Sequence, residues 1–213
     1  MWAVLSDFDG TILKNDLPRL ALTRFGRAGW DRLDDEFAAD ELSLEEIIRK
    51  YYSMIAARSL EEITEYIDGF CEFRPGFDLL LRRCRDANID FTIVSVGLDF
   101  CIEHAFATAG LALPRLVCPK SSFVPGRGFT LVFPQHRFST SRDFKEDWVD
   151  YYKSRGCSVV YMGDGMGDFH AASKADEVFA IKGSQLDEMC TERKILHRSI
   201  TTFAPVNRFI SDI

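Results

Sequence analysis

Four short apolar runs, Trp2-Ala3-Val4-Leu5, Phe91-Thr92-Ile93-Val94, Val159-Val160-Tyr161-Met162 and Val178-Phe179-Ala180-Ile181, leave this chain few ways to fold. Runs that are apolar throughout rather than alternating predict strands buried on both faces, the condition of a parallel sheet covered by helices, so the fold class is α/β. Ligands of such sheets bind beyond the carboxyl ends of the strands. The residues that follow the runs therefore matter most, and they are Asp7 and Asp9, then Ser95, then Asp164, then Lys182.

A long insert separates the first two runs, from Lys14 to Phe70, with helical periodicity and few β-branched residues. Leu42, Ile47, Ile48, Tyr51, Tyr52 and Ile55 recur at helical spacing behind a capping-box pattern, Ser43-Leu44-Glu45-Glu46, and a second helix is expected near Ser59 with Glu62 as its capping partner. A helical insert placed just after a strand-end site is suited to act as a lid. Pro75-Gly76 marks the return to the core, followed by an amphipathic helix over 77–86. Residues 121–133, with Pro125-Gly126-Arg127-Gly128 between two segments rich in Phe, Val, Thr and Leu, predict a β-hairpin standing off the sheet. Residues 134–142 show no period and read as a loop, and 144–153 read as a helix.

Composition narrows the function. A chain of 213 residues, 46% hydrophobic, supports one core with a small accessory unit. A net charge of −7 with scattered Lys and Arg offers no basic stripe, which argues against nucleic acid as a partner. Neither a membrane-length apolar stretch nor a leader pattern is present, so a soluble, cytoplasmic protein is expected, with no membrane partner. The six cysteines lie far apart without a C-x-x-C pair and are expected to be reduced and inert.

Asp7-Phe8-Asp9-Gly10-Thr11-Ile12 directly follows the first run. Alternation in an extended chain puts Asp7 and Asp9 on one side, and two carboxylates so close call for a cation, with hard oxygen ligands favouring Mg²⁺. Taken alone, the triplet also fits a solvated acidic turn. Gly163-Asp164-Gly165-Met166-Gly167-Asp168 closes another run, placing Asp164 at a strand tip and Asp168 in the first turn of a helix. Ser95-Val96-Gly97 at a third strand end can offer a hydroxyl and backbone N–H groups to phosphate oxygens. Lys145, opening a helix, is equally compatible with a phosphate-facing charge and with an ordinary solvated position.

In this order and at these places, the residues resemble the four motifs of the haloacid dehalogenase-like hydrolases: Asp7 to Thr11, Ser95, Lys145, and Gly163 to Asp168. The resemblance covers nearly the whole chain. It implies a Rossmann-like catalytic core (1–13 and 71–213, with the hairpin at about 121–133) and a helical cap (14–70), as in the phosphoserine phosphatase-like branch. Asn15-Asp16, Trp30, Phe73-Arg74-Pro75-Gly76-Phe77 and the hairpin leading to Phe133-Pro134 are similar to features of the methionine-salvage 2-hydroxy-3-keto-5-methylthiopentenyl-1-phosphate phosphatases. A small phosphorylated metabolite is the substrate class that follows. Phosphoserine phosphatases usually carry a glutamate soon after the first motif, which the segment Thr11 to Leu17 lacks, and Met166-Gly167 departs from the usual Asn or Thr.

The resemblance further implies that Asp7 is the nucleophile and is transiently phosphorylated, that Asp9 is the general acid and base, and that Mg²⁺ is held by Asp7, the Asp9 carbonyl and Asp164. Asp168 falls outside the ion's direct ligands, ordering a water or pairing with Lys145, while Ser95, Val96, Gly97 and Lys145 bind the phosphate. Tyr51, Tyr52 and Phe25 read as cap interior, His170 as a capping or packing residue, and His136 and Arg137 as loop residues that could gate the site. Two alternatives stay open: a dehalogenase or phosphonatase, the latter needing a cap lysine of which only Lys14 and Lys50 exist, and a non-catalytic phospholigand binder. Oligomeric state is open.

Overall fold

The computed structural model describes residues 1–33 and 42–213; the part of the expected cap at 34–41 lies outside the described residues. The described residues form eight strands: β1 (Trp2–Ser6), β2 (Asp90–Val94), β3 (Arg115–Val117), β4 (Lys120–Val124), β5 (Gly128–Val132), β6 (Ser158–Gly163), β7 (Glu177–Ile181) and β8 (Arg198–Ile200). Six form one parallel sheet in the order β3-β2-β1-β6-β7-β8, and β4 and β5 pair as a separate antiparallel hairpin. All four apolar runs are strands of the sheet. The short edge strands β3 and β8 escape a reading of apolar runs, because Arg115, Arg198 and Ser199 stand exposed at edges where solvent replaces a neighbour.

Strand β1 is central, with Val4 in register with Phe91 on one side and Val160 on the other. From β1 the chain steps outward through β2 to β3, then crosses back to β6 on the opposite flank. That reversal opens a crevice at the carboxyl end of β1. Beneath it lies an aromatic cluster in which Phe8 meets Phe106 at 5.9 Å and Phe73 at 6.4 Å, and Phe73 stacks on Phe77 at 5.6 Å. Four of the six cysteines are buried and all six are free, as their spacing predicts.

Helices α1 (Leu17–Phe25), α2 (Leu44–Ser53) and α3 (Leu60–Ile67) lie between β1 and β2 in the chain. Asp16 caps α1 by accepting the Arg19 N–H, with Pro18 in the first turn. Ser43 and Glu46 form the expected capping box of α2. At α3, Ser59 Oγ accepts the Glu62 N–H, but the Glu62 carboxylate reaches the Arg58 N–H instead of closing a box. Each such cap is worth about 1 kcal/mol. The hairpin packs on α2: Arg49 donates to the Leu131 carbonyl, Arg27 to that of Gly126, and the Gly126 N–H to Ala57 O at 3.1 Å.

Helices α4 (Phe77–Asp86), α5 (Asp99–Thr108), α6 (Phe144–Ser154), α7 (Phe169–Lys174), α8 (Gln185–Glu192) and α9 (Ala204–Ser211) complete the described α-helices, and Trp30–Arg32, Asp68–Phe70 and Met166–Asp168 form short 3₁₀ turns. None of the described helices is long and apolar enough to cross a membrane.

Candidate active site

At the tip of β1 the Asp7 N–H extends the ladder to Met162 O at 2.9 Å, which fixes the backbone beneath its carboxylate. Alternation then turns Phe8 into the aromatic cluster, fully buried, and returns Asp9 to the side of Asp7. Asp9 Oδ1 accepts the N–H of Leu17 at 3.0 Å, a free donor of the first turn of α1. Gly10 has φ of 74°, and a Cβ there would lie 2.2 Å from Asp164 Oδ2, so the turn needs glycine on both counts. Thr11 Oγ1 donates to Asp164 Oδ1 at 2.8 Å, tying the first motif to the last. Arg74 holds the turn from below, donating from Nε to Thr11 O at 2.8 Å and from Nη2 to Gly10 O at 2.6 Å.

Lys145 enters from α6, which Asp143 caps through the Glu146 N–H at 2.9 Å. Its ammonium, 2% exposed, donates to Asp7 Oδ1 and to Asp168 Oδ1, both at 2.7 Å. Two of its three N–H bonds are spent on carboxylates. The same Asp168 Oδ1 takes the Tyr161 hydroxyl at 2.7 Å, and Oδ2 takes the N–H groups of Asp164 at 3.1 Å and Gly165 at 2.9 Å. With four donors on two oxygens, Asp168 is committed to holding Lys145 and the turn after β6.

Oxygens of Asp7, Asp164 and Asp168 lie within 4.8 Å of one another. Burial, with the Asp168 charge, pushes the Asp7 carboxyl up to about 7 even though Lys145 pulls it down. Asp9 is raised well above the carboxylate range by burial and then by Asp16 and Asp7, and Asp164 by burial and then by Asp7 and Asp168. Burial works against the charge on Lys145, but Asp168 and Asp7 outweigh it and hold the ammonium protonated. One ammonium thus bonds two buried carboxylates, Asp7 and Asp168, with half-buried Asp9 and Asp164 lining the same cavity, an excess of negative charge that a divalent cation relieves. All-oxygen donors suit Mg²⁺. The residues therefore fit the ion: Asp7 and Asp164 offer side-chain oxygens, whereas the side chain of Asp9 stands outside the cluster.

A cavity of about 210 Å³ opens over this group and brings together Asp7, Asp9, Ser95, Val96, Gly97, Lys145, Asp164 and Asp168. Ser95, 1% exposed, accepts the Gly97 N–H at 3.0 Å, closing a tight turn after β2. The far wall comes from the insert: Leu22, Trp30, Leu44, Ile47, Ile48, Tyr51 and Tyr52. Phe25 packs on Tyr66 within the insert, as expected, but Tyr51 and Tyr52 line the cavity. Tyr52, 3% exposed, belongs to the core as expected and Tyr51 packs against it, while one i, i+3, i+4 stripe of α2 serves both as packing face and as cavity wall.

Neither Lys14, paired with Glu72, nor Lys50 lines the cavity; among its described lining residues Lys145 is the one lysine. Lys182 stands exposed, its N–H bonded to Ile200 O. His136 meets Glu45 at 3.2 Å, Arg137 stacks on Trp148 at 4.1 Å and pairs with Asp147, and His170 sits beside Arg142. None of the three lines the cavity. Thr11, Arg74, Tyr161 and Asp16, which also lines the cavity, had been assigned no part. Thr11, Asp16 and Arg74 stand in segments that the motifs mark, although their contacts depend on packing between distant segments, whereas Tyr161 reads as one more residue of an apolar run.

A family model described as haloacid dehalogenase-like hydrolase matches residues 4–173. The 2-hydroxy-3-keto-5-methylthiopentenyl-1-phosphate phosphatase of Brevibacillus brevis is 26% identical over 97% of this chain and 94% of its own length. That of an Exiguobacterium species is 25% identical over 99% and 97%. Among solved structures, a phospho-aspartyl intermediate analogue of phosphoserine phosphatase aligns with a TM-score of 0.73 at 16% identity, covering 98% of each chain. A substrate-bound phosphoserine phosphatase gives a TM-score of 0.71 at 15% identity, covering 98% of this chain and 97% of that one.

Proposed function

The chain belongs to the haloacid dehalogenase-like hydrolases, and on that premise we propose that it is a Mg²⁺-dependent phosphomonoesterase in which Asp7 is transiently phosphorylated. The observation that carries this reading is the placement of Asp7, 6% exposed, between the Lys145 ammonium and the turn Ser95-Val96-Gly97 in one cavity. Asp7 attacks phosphorus, the ester oxygen leaves with a proton from Asp9, and water activated by Asp9 then releases phosphate from Asp7. Asp9 suits the first step because burial, and then Asp16 and Asp7, raise its carboxyl well above the ordinary carboxylate range, which favours the protonated form. Ser95, the amides beside it and Lys145 meet the negative charge on the transferred group. Asp7, the Asp9 carbonyl and Asp164 would hold Mg²⁺, which when bound would supply positive charge against the transferred phosphoryl group. Segment 14–70 serves as the cap over a core formed by 1–13 and 71–213.

The substrate class is a small phosphorylated metabolite with an apolar group. Leu22, Trp30, Ile47 and Ile48 present an apolar wall opposite the carboxylates, suited to the methylthio end of the compound named for the relatives. A second reading, a phosphorylated amino acid, has the Asp16 carboxylate on the wall in its favour, although its Oδ1 caps α1. Turnover of a panel of phosphate esters with Mg²⁺ separates them: we expect kcat/KM to be highest for 2-hydroxy-3-keto-5-methylthiopentenyl-1-phosphate, and a preference for phosphoserine would reverse the choice. Inertness toward every ester would remove the enzymatic reading itself.

Protons and cation compete for the same oxygens. With Asp7 keeping its proton up to about 7 in the metal-free protein, Mg²⁺ binds more tightly as pH rises through that value. The Mg²⁺ concentration giving half-maximal turnover is expected to fall several-fold between about pH 6 and about pH 8; a value independent of pH would contradict the ligand assignment.

A further inference from the structure

From α2, Tyr52 reaches the backbone of the turn after β2. It is 3% exposed, and its hydroxyl donates to the carbonyl oxygen of Val96 at 2.9 Å. That carbonyl belongs to the same peptide unit as the N–H of Gly97, which donates to Ser95 Oγ at 3.0 Å. In a trans peptide the C=O and N–H point in opposite directions within one plane, so anchoring the carbonyl also sets where the N–H points. Only glycine fits at this position, since a Cβ at Gly97 would come within 2.4 Å of Asp9 Oδ2. The helix that carries Tyr52 is itself bolted to the hairpin through Arg49 and Leu131.

We propose that Tyr52 is a positioning residue: its hydroxyl holds the Val96–Gly97 peptide so that the Gly97 N–H fixes the Ser95 oxygen and leaves the Ser95 hydroxyl proton to be donated to an incoming phosphate. The inference rests on the phosphatase reading above and adds to it a coupling between the seat of α2 and the phosphate-binding turn. When α2 is seated, the turn is ordered for binding; when it lifts, the peptide loses its outer anchor. The group ordered by Tyr52 binds phosphate in ground state and transition state alike, so its loss belongs in affinity rather than in the chemical step.

Tyr52→Phe removes the hydroxyl and keeps the ring. In the full-length chain with Mg²⁺, KM for p-nitrophenyl phosphate and the inhibition constant of inorganic phosphate are expected to rise together, by about tenfold, with kcat changed less than about twofold. A role confined to packing would lower Tm and leave both constants in place, and that result overturns the proposal. So does a fall in kcat alone. A second measurement needs no turnover: the Gly97 amide resonance in an ¹H–¹⁵N spectrum is expected to differ between wild type and Tyr52→Phe, and to shift with inorganic phosphate at about tenfold lower concentration in wild type. Identical resonances and identical titrations would refute the positioning role. Absence of ester hydrolysis by the wild type would instead count against the phosphatase reading.

Discussion

Replacing Asp7 with asparagine is expected to lower kcat toward p-nitrophenyl phosphate by about 10⁴-fold or more, because the amide is a poor nucleophile and the neighbouring carboxyl, Asp9, is engaged as acid and base. The loss should come without unfolding. Asp7 has its carboxyl raised from 3.8 to about 7 in the folded, metal-free chain, mainly by burial. Between those values the folded state binds a proton that the unfolded state does not, so the contribution to stability is complete below about 3.8 and is lost as pH rises through about 7. A neutral side chain escapes that loss. The Asp7→Asn protein without metal should therefore have a Tm equal to or above that of wild type at pH 8, with a smaller gap at pH 5. Thermal melts at the two pH values, alongside initial rates, check both halves. Turnover within tenfold of wild type would reject Asp7 as nucleophile.

Lys145→Met should damage both stability and catalysis. The ammonium bonds Asp7 and Asp168 at 2.7 Å each and is 2% exposed, so its removal leaves two buried carboxylates facing each other. Breaking a buried pair in this way costs about 3–5 kcal/mol where the partners stay ionised. Carboxylates can escape by taking up protons, so the Tm deficit of Lys145→Met is expected to shrink as pH falls from 8 to 5, and Mg²⁺ should recover part of it. Catalysis loses the charge that meets the transferred phosphoryl group, and kcat/KM is expected to fall by about 10³-fold. A deficit that grows at low pH would show that Lys145 is not balancing carboxylates.

Asp7, Asp9, Asp164 and Asp168 could be read from the chain because each follows an apolar run at a strand end, where periodicity and turn glycines locate it without tertiary information. The sheet was legible for the same reason, except at β3 and β8, three-residue edge strands with exposed arginines. Lys145 was different. Its position at the start of a helix did not distinguish a solvated residue from one that is almost completely buried, and its place in the site came from the resemblance alone.

Other contacts depend on register and on packing between distant segments. Tyr161 reads as one more apolar strand residue; its hydroxyl meets Asp168 only once the turn after β6 folds back. Arg74 lies in a Pro-Gly segment 63 and 64 residues from the carbonyls it holds. Tyr52 belongs to an amphipathic stripe whose pattern is the same whether it faces other helices or a cavity.

The most direct test of a covalent intermediate at Asp7 is to trap it. The full-length chain with Mg²⁺ and substrate, quenched in acid within the first turnovers and digested, is expected to yield the peptide containing Asp7 heavier by one phosphoryl group, with the label absent from Asp7→Asn. A quenched digest with no phosphoryl label on that peptide while turnover proceeds, or with the label on another residue, would contradict it.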